Sequence, residues 1–367
     1  MTQAHTDHPV PGPNRAERAA AHASVNPWVL LQLGEGPERG WVVAEGAHPR
    51  RHTRLTRTRV AGSAAVADRL PAVLDATRTQ AQPQVGTVYL PTGAQMRVIT
   101  VPVLGPADTV DAVQLWAGPR SRPPPARPTV GALHWSTPGT GIATTTPGID
   151  LLLDTDTDTG RGRTLPDLLG HLEHLDDREG LLRLLDPATD VLTRRWSAIA
   201  VTRALAGGPR RSLFIAAVRD RDSTDVRAVV TDITATHPPA QPSITVPLLR
   251  AIPIRANHAI GIVDLPTGLV HEWIHPGSAP LDRWQRELPT VHPEDQPELA
   301  KTRARLAARA DHATTTVRIR FDADDPWTTV HADWTVLTRD TTPQAMLDLR
   351  LARETRGRTS TEAQRTD

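Results

Sequence analysis

Hydrophobic and polar positions along this chain fall into three successive rounds, separated by two proline-rich stretches. In the first round, Trp28-Val-Leu-Leu-Gln-Leu33 is an apolar run. Residues 34–40 turn the chain, and Trp41-Val-Val-Ala44 returns, predicting strand, turn and strand. Val66, Leu70, Val73 and Leu74 then recur at helical spacing between Ala64 and Thr79. They predict an amphipathic helix, which Pro71 is expected to kink or split. Strands follow at Gly86–Leu90, Met96–Leu104 and Val110–Ala117, punctuated by Pro91-Thr-Gly93 and Gly105-Pro106.

The second round opens with Gly131–Ser136 and Ile142–Thr146 as a hairpin around Pro138-Gly139. Leu165–Leu175 and Arg178–Leu185 read as helices, and Trp196–Leu205, Ser212–Asp220 and Val226–Thr234 as strands. In the third round, Ile260–Val263 and Leu269–Ile274 form a hairpin through the turn Leu265-Pro-Thr-Gly268. A short helical or loop stretch covers Trp284 to Pro289, and Glu298–Ala308 is a helix. Thr315–Phe321 and Trp327–Leu337 are the closing strands. Pro343 opens a last helix, reaching about residue 355, with Met346, Leu347, Leu349 and Leu351 as its apolar positions.

The predicted fold class is therefore α+β, with three consecutive units that each carry a five-stranded antiparallel sheet and helices on one face. The predicted boundaries are a disordered tail over 1–25, a unit over 26–118, a Pro-rich linker over 119–129 and a second unit over 130–235. A second linker at 236–247, a third unit at 248–340 and a final helix and tail at 341–367 complete the chain.

Charge narrows the function classes. Lys plus Arg is 42 and Asp plus Glu is 41, so the net charge of +1 supplies no global field for nucleic acid or an anionic membrane. The absence of cysteine removes thiol nucleophiles, disulfides and thiolate metal sites. No run approaches the ~20 apolar residues that cross a bilayer, and no signal peptide is evident, so a cytoplasmic protein is expected. Aromatic usage is skewed, with nine Trp against one Tyr and two Phe. Each Trp is thus expected to anchor a core or line a pocket.

Several segments carry a resemblance. Ile260-Gly-Ile-Val-Asp-Leu-Pro-Thr-Gly268, Trp273 and Val291-His-Pro-Glu-Asp295 ahead of a helix resemble PAS domains, which often carry a V-H-P-D-D box at that place. Glu294 stands where that box has Asp. Val229-Val-Thr-Asp-Ile-Thr234 resembles a PAS ending, G-x-x-x-D-I-T, without its glycine. Trp28-Val-Leu-Leu-Gln-Leu-Gly34, Val42-Val-Ala-Glu-Gly46 and Asp111–Gly118 complete a pattern similar to an actinobacterial family of tri-domain GAF/PAS-like proteins. The resemblance implies sensing or scaffolding. It makes His292, Pro293, Glu294 and Asp295 a structural box that caps a helix, and implies no particular ligand or cofactor. Cavities between sheet and helices in such domains make Trp135, Trp273 and Trp284 candidates for contact with a small ligand.

One string points elsewhere. His271-Glu272-Trp-Ile-His275 spells the H-E-x-x-H of zinc peptidases, in which a helix sets both imidazoles on one face. Here Pro266-Thr-Gly268 precedes it and Pro276-Gly277 follows, which suits a strand. On a strand His271 and His275 stand about 13 Å apart, too far for one ion. Asp154-Thr-Asp-Thr-Asp-Thr-Gly160 mimics a calcium loop, but its glycine comes one place late and Leu165 holds the chelating position. His171 and His174 form an i, i+3 pair on a predicted helix, more simply read as surface polarity. No phosphate loop or nucleophile elbow is present.

The expected function is a non-catalytic cytosolic sensor or scaffold. It binds a small molecule or protein and passes its state to a separate partner, or to a second copy, through the helix at 343–355. No nucleic acid or membrane partner and no cofactor are expected. The alternative is a zinc-dependent hydrolase using His271, Glu272 and His275.

Overall fold

The computed structural model describes residues 26–352, apart from 35–39, 62, 137–139, 156–161, 189–194, 205–207, 220–223, 242–247, 249–250, 252, 254–256 and 341. The expected tails at 1–25 and beyond 352, the turn Pro138-Gly139 and most of the calcium-like loop lie outside those residues, as does half of the second linker.

The first sheet contains β1 (Val29–Gln32), β2 (Trp41–Glu45), β3 (His48–Thr53), β4 (Gln84–Tyr89), β5 (Gln95–Leu104) and β6 (Val110–Pro119), in the order β3-β2-β1-β6-β5-β4. Helix α1 (Ala64–Gln80) covers one face through Val66, Leu70, Val73, Leu74 and Thr77. It runs through Pro71 as one helix, correcting the expected split. Pro71 lies on the exposed side, so the helix keeps its whole apolar stripe on the sheet.

The second sheet contains β7 (Val130–Trp135), β8 (Ile142–Thr145), β9 (Arg163–Thr164), β10 (Leu172–Leu175), β11 (Arg195–Thr202), β12 (Ser212–Arg219) and β13 (Val226–Asp232), in the order β10-β11-β12-β13-β7-β8-β9. Its helices are α2 (Pro147–Leu153), α3 (Leu165–Gly170) and α4 (Arg178–Leu185). Thr164 and Asp177 cap α3 and α4 by accepting from the backbone N–H of Asp167 and Gly180. The helix expected over Leu165–Leu175 stops at Gly170, and Leu172–Leu175 pairs with β11 instead. The burial of Leu172 and Leu175 around exposed His174 is that of an edge strand.

The third sheet contains β14 (His258–Asp264), β15 (Val270–His275), β16 (Thr290–Val291), β17 (His312–Arg320), β18 (Thr328–Thr338) and β19 (Gln344–Leu351), in the order β15-β14-β19-β18-β17-β16. A 3₁₀ turn at Leu281–Gln285 and helix α5 (Gln296–Ala308) join its two halves. The last helix expected at 343–355 is therefore a strand, buried between β14 and β18. Its pattern decides this: Ala345, Leu347 and Leu349 are buried at every second position, with Met346, Asp348 and Arg350 half-buried between them.

The expectation of three five-stranded sheets in an α+β fold is overturned. The chain is mostly antiparallel sheet, with six, seven and six strands curled into half-barrels. The extra strands β3, β9, β10 and β16 all lie at sheet edges. Strands β9 and β16 have two residues each, and β3 is His-Pro-Arg-Arg-His-Thr. An edge strand gains its hydrogen bonds from one neighbour and needs no apolar face, so its sequence carries little signal.

Sheets one and two share an apolar interface. Val29 and Leu31 of β1 face α1, whereas Leu30, with Val43, Ala44 and Ala112, packs against Ala132, Phe214, Ala216 and Val229 of the second sheet. Gln32, also buried, donates from Nε2 to the carbonyls of Ala216 (3.1 Å) and Arg227 (3.2 Å). Arg227 lies 3.6 Å from the buried Asp111 carboxylate. The Pro-rich segment between the sheets is pinned from the first one: Trp28 Nε1 donates to the Pro125 carbonyl and Gln114 Nε2 to that of Pro128.

A shared core couples the stability of its two sides. Phe214→Ala is expected to cost about 3–5 kcal/mol. It should lower the unfolding midpoint of both units together in guanidinium titrations followed by near-UV circular dichroism. Separate loss of the second unit alone would show that the interface does not couple them.

Candidate functional site

The site is built where the third sheet and α5 fail to close on each other. Helix α5 starts at Gln296, with Pro297 in its first turn, and offers few apolar side chains, so that only Thr302 and Leu306 are fully buried. The sheet beneath it is strongly apolar. Between them lies a cavity of about 670 Å³, within the range of small-molecule sites. Val317, Ala332, Trp334, Leu347 and Leu349 form the floor, from β17, β18 and β19. Val263, Leu269, Val270, Trp284, Leu288 and Val291 line it as well. Thr290, Gln296 and Ala300 mark the mouth. Trp334 Nε1 donates to Thr315 Oγ1 at 2.9 Å, which fixes the indole in the floor.

Arg303 is the one charged residue among the described lining residues. It lies on the stripe of α5 that holds Leu299 and Leu306, spaced i+4 and i+3, so an apolar stripe delivers it inward. Its Nε is buried without a hydrogen-bond partner among the described residues. Burial lowers the Arg303 pKa, opposed by the charge of Asp264. Asp264 is buried at the end of β14. Its Oδ2 accepts from the backbone N–H of Thr267 (3.0 Å) and from Thr267 Oγ1 (2.5 Å). Burial raises the Asp264 pKa against those donors. The turn ends at Gly268, with φ +77°, in the left-handed region. A Cβ there would collide with Nη1 of Arg303, so the glycine also makes room for the guanidinium against the turn.

The three tryptophans singled out from the sequence separate. Trp284 lines the cavity, half-buried. Trp273 does not; it packs behind Trp284 with ring centroids 5.7 Å apart. Trp135 is buried in the leucine-rich core of the second unit, where the remaining void is about 50 Å³.

The box at His292–Asp295 does a different job from the helix cap expected of it. Asp295 occupies the N-cap position of α5, but its side chain makes no cap hydrogen bond. Its carboxylate instead accepts from the Arg318 backbone N–H (2.7 Å) and from Arg318 Nε (3.0 Å) and Nη2 (2.8 Å). Glu294 takes a further bond from Nη2. The bonds from Arg318 hold the Asp295 carboxyl down at about 2. His292 packs edge-on against Trp327, 4.6 Å between centroids, ahead of Pro293. The box therefore clamps the start of α5 to β17, along one rim of the cavity, rather than satisfying helix amides. A five-donor guanidinium in reach outcompetes the orphan N–H groups for the carboxylate.

The H-E-x-x-H string lies on β15 as an extended segment. Ile262 pairs with Glu272 and Val263 with Val270, so His271 is an extra, bulged residue; Ile274 is a second. Bulges re-aim side chains, and His271 is driven into the contact between units two and three, beside Pro166, Leu169 and Gly170 of α3. Glu272 there is ion-paired with Arg178 of α4. Thr164 Oγ1 donates to the carbonyl of Gln285 in the same contact. His275 is half-buried at the far end of the strand. His171 and His174 are likewise not on one helix: His171 follows α3 and His174 sits on β10, 2.8 Å from Asp176. Among the described residues, no three or more His, Asp or Glu side chains are grouped so as to hold a metal ion. Asp154 and Thr155 of the calcium-like loop are described; residues 156–160 are not.

Comparison with known proteins adds a frame. Residues 27–126 match the family model described as Rv3651-like, N-terminal. The crystal structure of an uncharacterized protein from Mycobacterium tuberculosis is 21% identical, with a TM-score of 0.67, and the match covers 89% of this chain and 97% of that one. This chain shares its fold. An RNA-binding light-oxygen-voltage receptor is 14% identical at a TM-score of 0.24, over 60% of this chain and 94% of that one. The periplasmic sensory domain of the Campylobacter jejuni chemoreceptor Tlp1 is 10% identical at 0.16, over 59% and 75%. Scores of that size carry no argument about this fold. No curated protein matches the chain.

His271 titrates in a way the geometry makes testable. Burial, then the positive charge of Arg178, lowers its pKa from 6.5 to about 4 against the pull of Glu272. The folded imidazole is thus neutral where the unfolded one takes a proton, so stability falls as pH drops from about 6.5 to about 4. The loss reaches about 3 kcal/mol. His52, also lowered to about 4, adds the same sign in the same window. His271→Gln should therefore flatten the pH dependence of urea midpoints between 6.5 and 4, leaving the share of His52. Identical slopes in variant and wild type would refute the assignment.

Proposed function

We propose that the chain is a non-catalytic, cytosolic binding protein of the sensor type, whose third unit takes up a small, mainly apolar ligand and transmits its occupancy to a protein partner. The observation that carries this reading is the cavity of about 670 Å³ between α5 and the third sheet. Its floor is apolar, and its polar lining side chains are three threonines, Gln296 and Arg303, in keeping with the usual composition of a ligand site. Segments that carry the resemblance to GAF/PAS-like sensors border it: Thr267 and Gly268 from one, Val291 from the other.

Occupancy has a route outward. Leu347 and Leu349 of β19 touch the cavity, and β19 lies between β14 and β18. Trp284 continues into Trp273 on β15, and β15 faces the second unit through Glu272 and Arg178. A ligand that favours one packing of α5 over another shifts the population of that contact. No terminal helix is available for this role among the described residues, since residues 344–351 are a strand.

The neutral fluorophore N-phenyl-1-naphthylamine should bind the full chain with enhanced emission. Ala300→Trp, at an exposed position on the mouth, should cut that binding at least tenfold with the melting temperature held within a few degrees. Equal binding by both proteins would place the apolar site elsewhere, and no binding by the wild type would remove the ligand reading.

A further inference from the structure

We infer that the ligand of this cavity is an amphipathic monocarboxylic acid, its hydrocarbon part on the floor of β17, β18 and β19 and its carboxylate on the guanidinium of Arg303. The inference rests on the reading of the cavity as a ligand site and adds the chemical class.

Arg303 is unlike the other arginines that enter ion pairs in this unit. Arg283, Arg318, Arg339 and Arg350 each have carboxylates within 4 Å. Arg303 has none among the described residues, and its buried Nε makes no hydrogen bond to any of them. An Nε–H buried without an acceptor is costly, although the residue as a whole is only half-buried. The charge of Asp264 acts on Arg303, but no ion pair joins them among the described residues: Asp264 Oδ2 accepts from Thr267, and its buried Oδ1 has no hydrogen-bond partner. The side chain is nevertheless held in place, because Gly268 leaves the space it occupies beside the turn.

Charge and shape then select the ligand. One cation, with only neutral Thr and Gln as further polar lining, suits a single negative charge. A phosphate dianion would call for a second cation that the described lining lacks. The planar fork of arginine matches a carboxylate with two parallel hydrogen bonds. The remaining walls are aliphatic or indole and offer little for a polar ligand body to bond.

The test uses the full chain, decanoate, decanol and N-phenyl-1-naphthylamine as a displaceable probe, with wild type and Arg303→Gln compared. Decanoate should displace the probe from wild type at a concentration at least tenfold below that of decanol. Arg303→Gln should abolish that difference, with each displacement read against the variant's own affinity for the probe. Equal potency of acid and alcohol on wild type, or a preference that survives Arg303→Gln, overturns the inference and leaves the cavity reading standing. Failure of decanoate to displace a bound probe also overturns it. If the probe itself does not bind wild type, the cavity reading falls and the inference falls with it.

Discussion

Pairing between the first and last long strands of each unit is the constraint on which this molecule depends. β1 pairs with β6, β7 with β13 and β14 with β19, all antiparallel. In each case the strand that opens the unit is interior to the sheet and is locked by the strand that closes it. Hairpins can build each half of such a sheet, but not the central pair that joins the halves. The loop between its central strands spans most of the unit, and its closure entropy is met before the central bonds reward it. The intervening helices are thereby forced onto one face, where they define whatever space remains above the central strands.

What fills that space differs between units. In the second, three short helices deliver Leu152, Leu153, Leu168, Leu169, Leu181, Leu182 and Leu185, and the void left is about 50 Å³. In the third, one helix delivers Leu306 and little else fully buried, and about 670 Å³ stays open. The same strand closure thus yields a packed core in one place and a site in another. The first unit closes with α1 and turns its opposite face to the second sheet.

Much of this is legible in residue patterns, and the limits of legibility are physical. Helix α1 is readable because Val66, Leu70, Val73 and Leu74 share one face at the helical period. The extended state of His271–His275 follows from prolines and glycines on both sides. The edge strands β3, β9, β10 and β16 are not legible, because one-sided pairing asks little of their side chains. The final strand is ambiguous in one dimension, since Leu347, Leu349 and Leu351 fit a period of two as well as a loose helical stripe. Of the candidate ligand contacts, Trp284 reaches the cavity, while Trp135 and Trp273 are used elsewhere. Arg303 does leave a mark in the sequence, a charge on the apolar stripe of an amphipathic helix, but a charge there equally suits a stem lying along the surface.

By itself the sequence determined many local conformations, the three rounds of strand and helix, and the net charge near zero. Periodicity, turn residues and charge act over a few positions, so they can be read in one dimension. Only the tertiary structure decided that β19 would complete the third sheet, that Asp295 would hold Arg318 instead of capping α5, and that a bulge would turn His271 inward. It alone also decided that Arg303 would meet an apolar cavity with no acid in ion-pair reach among the described residues. Each of these depends on which distant groups arrive at the same place, and that is set by closure of the sheet rather than by neighbours along the chain.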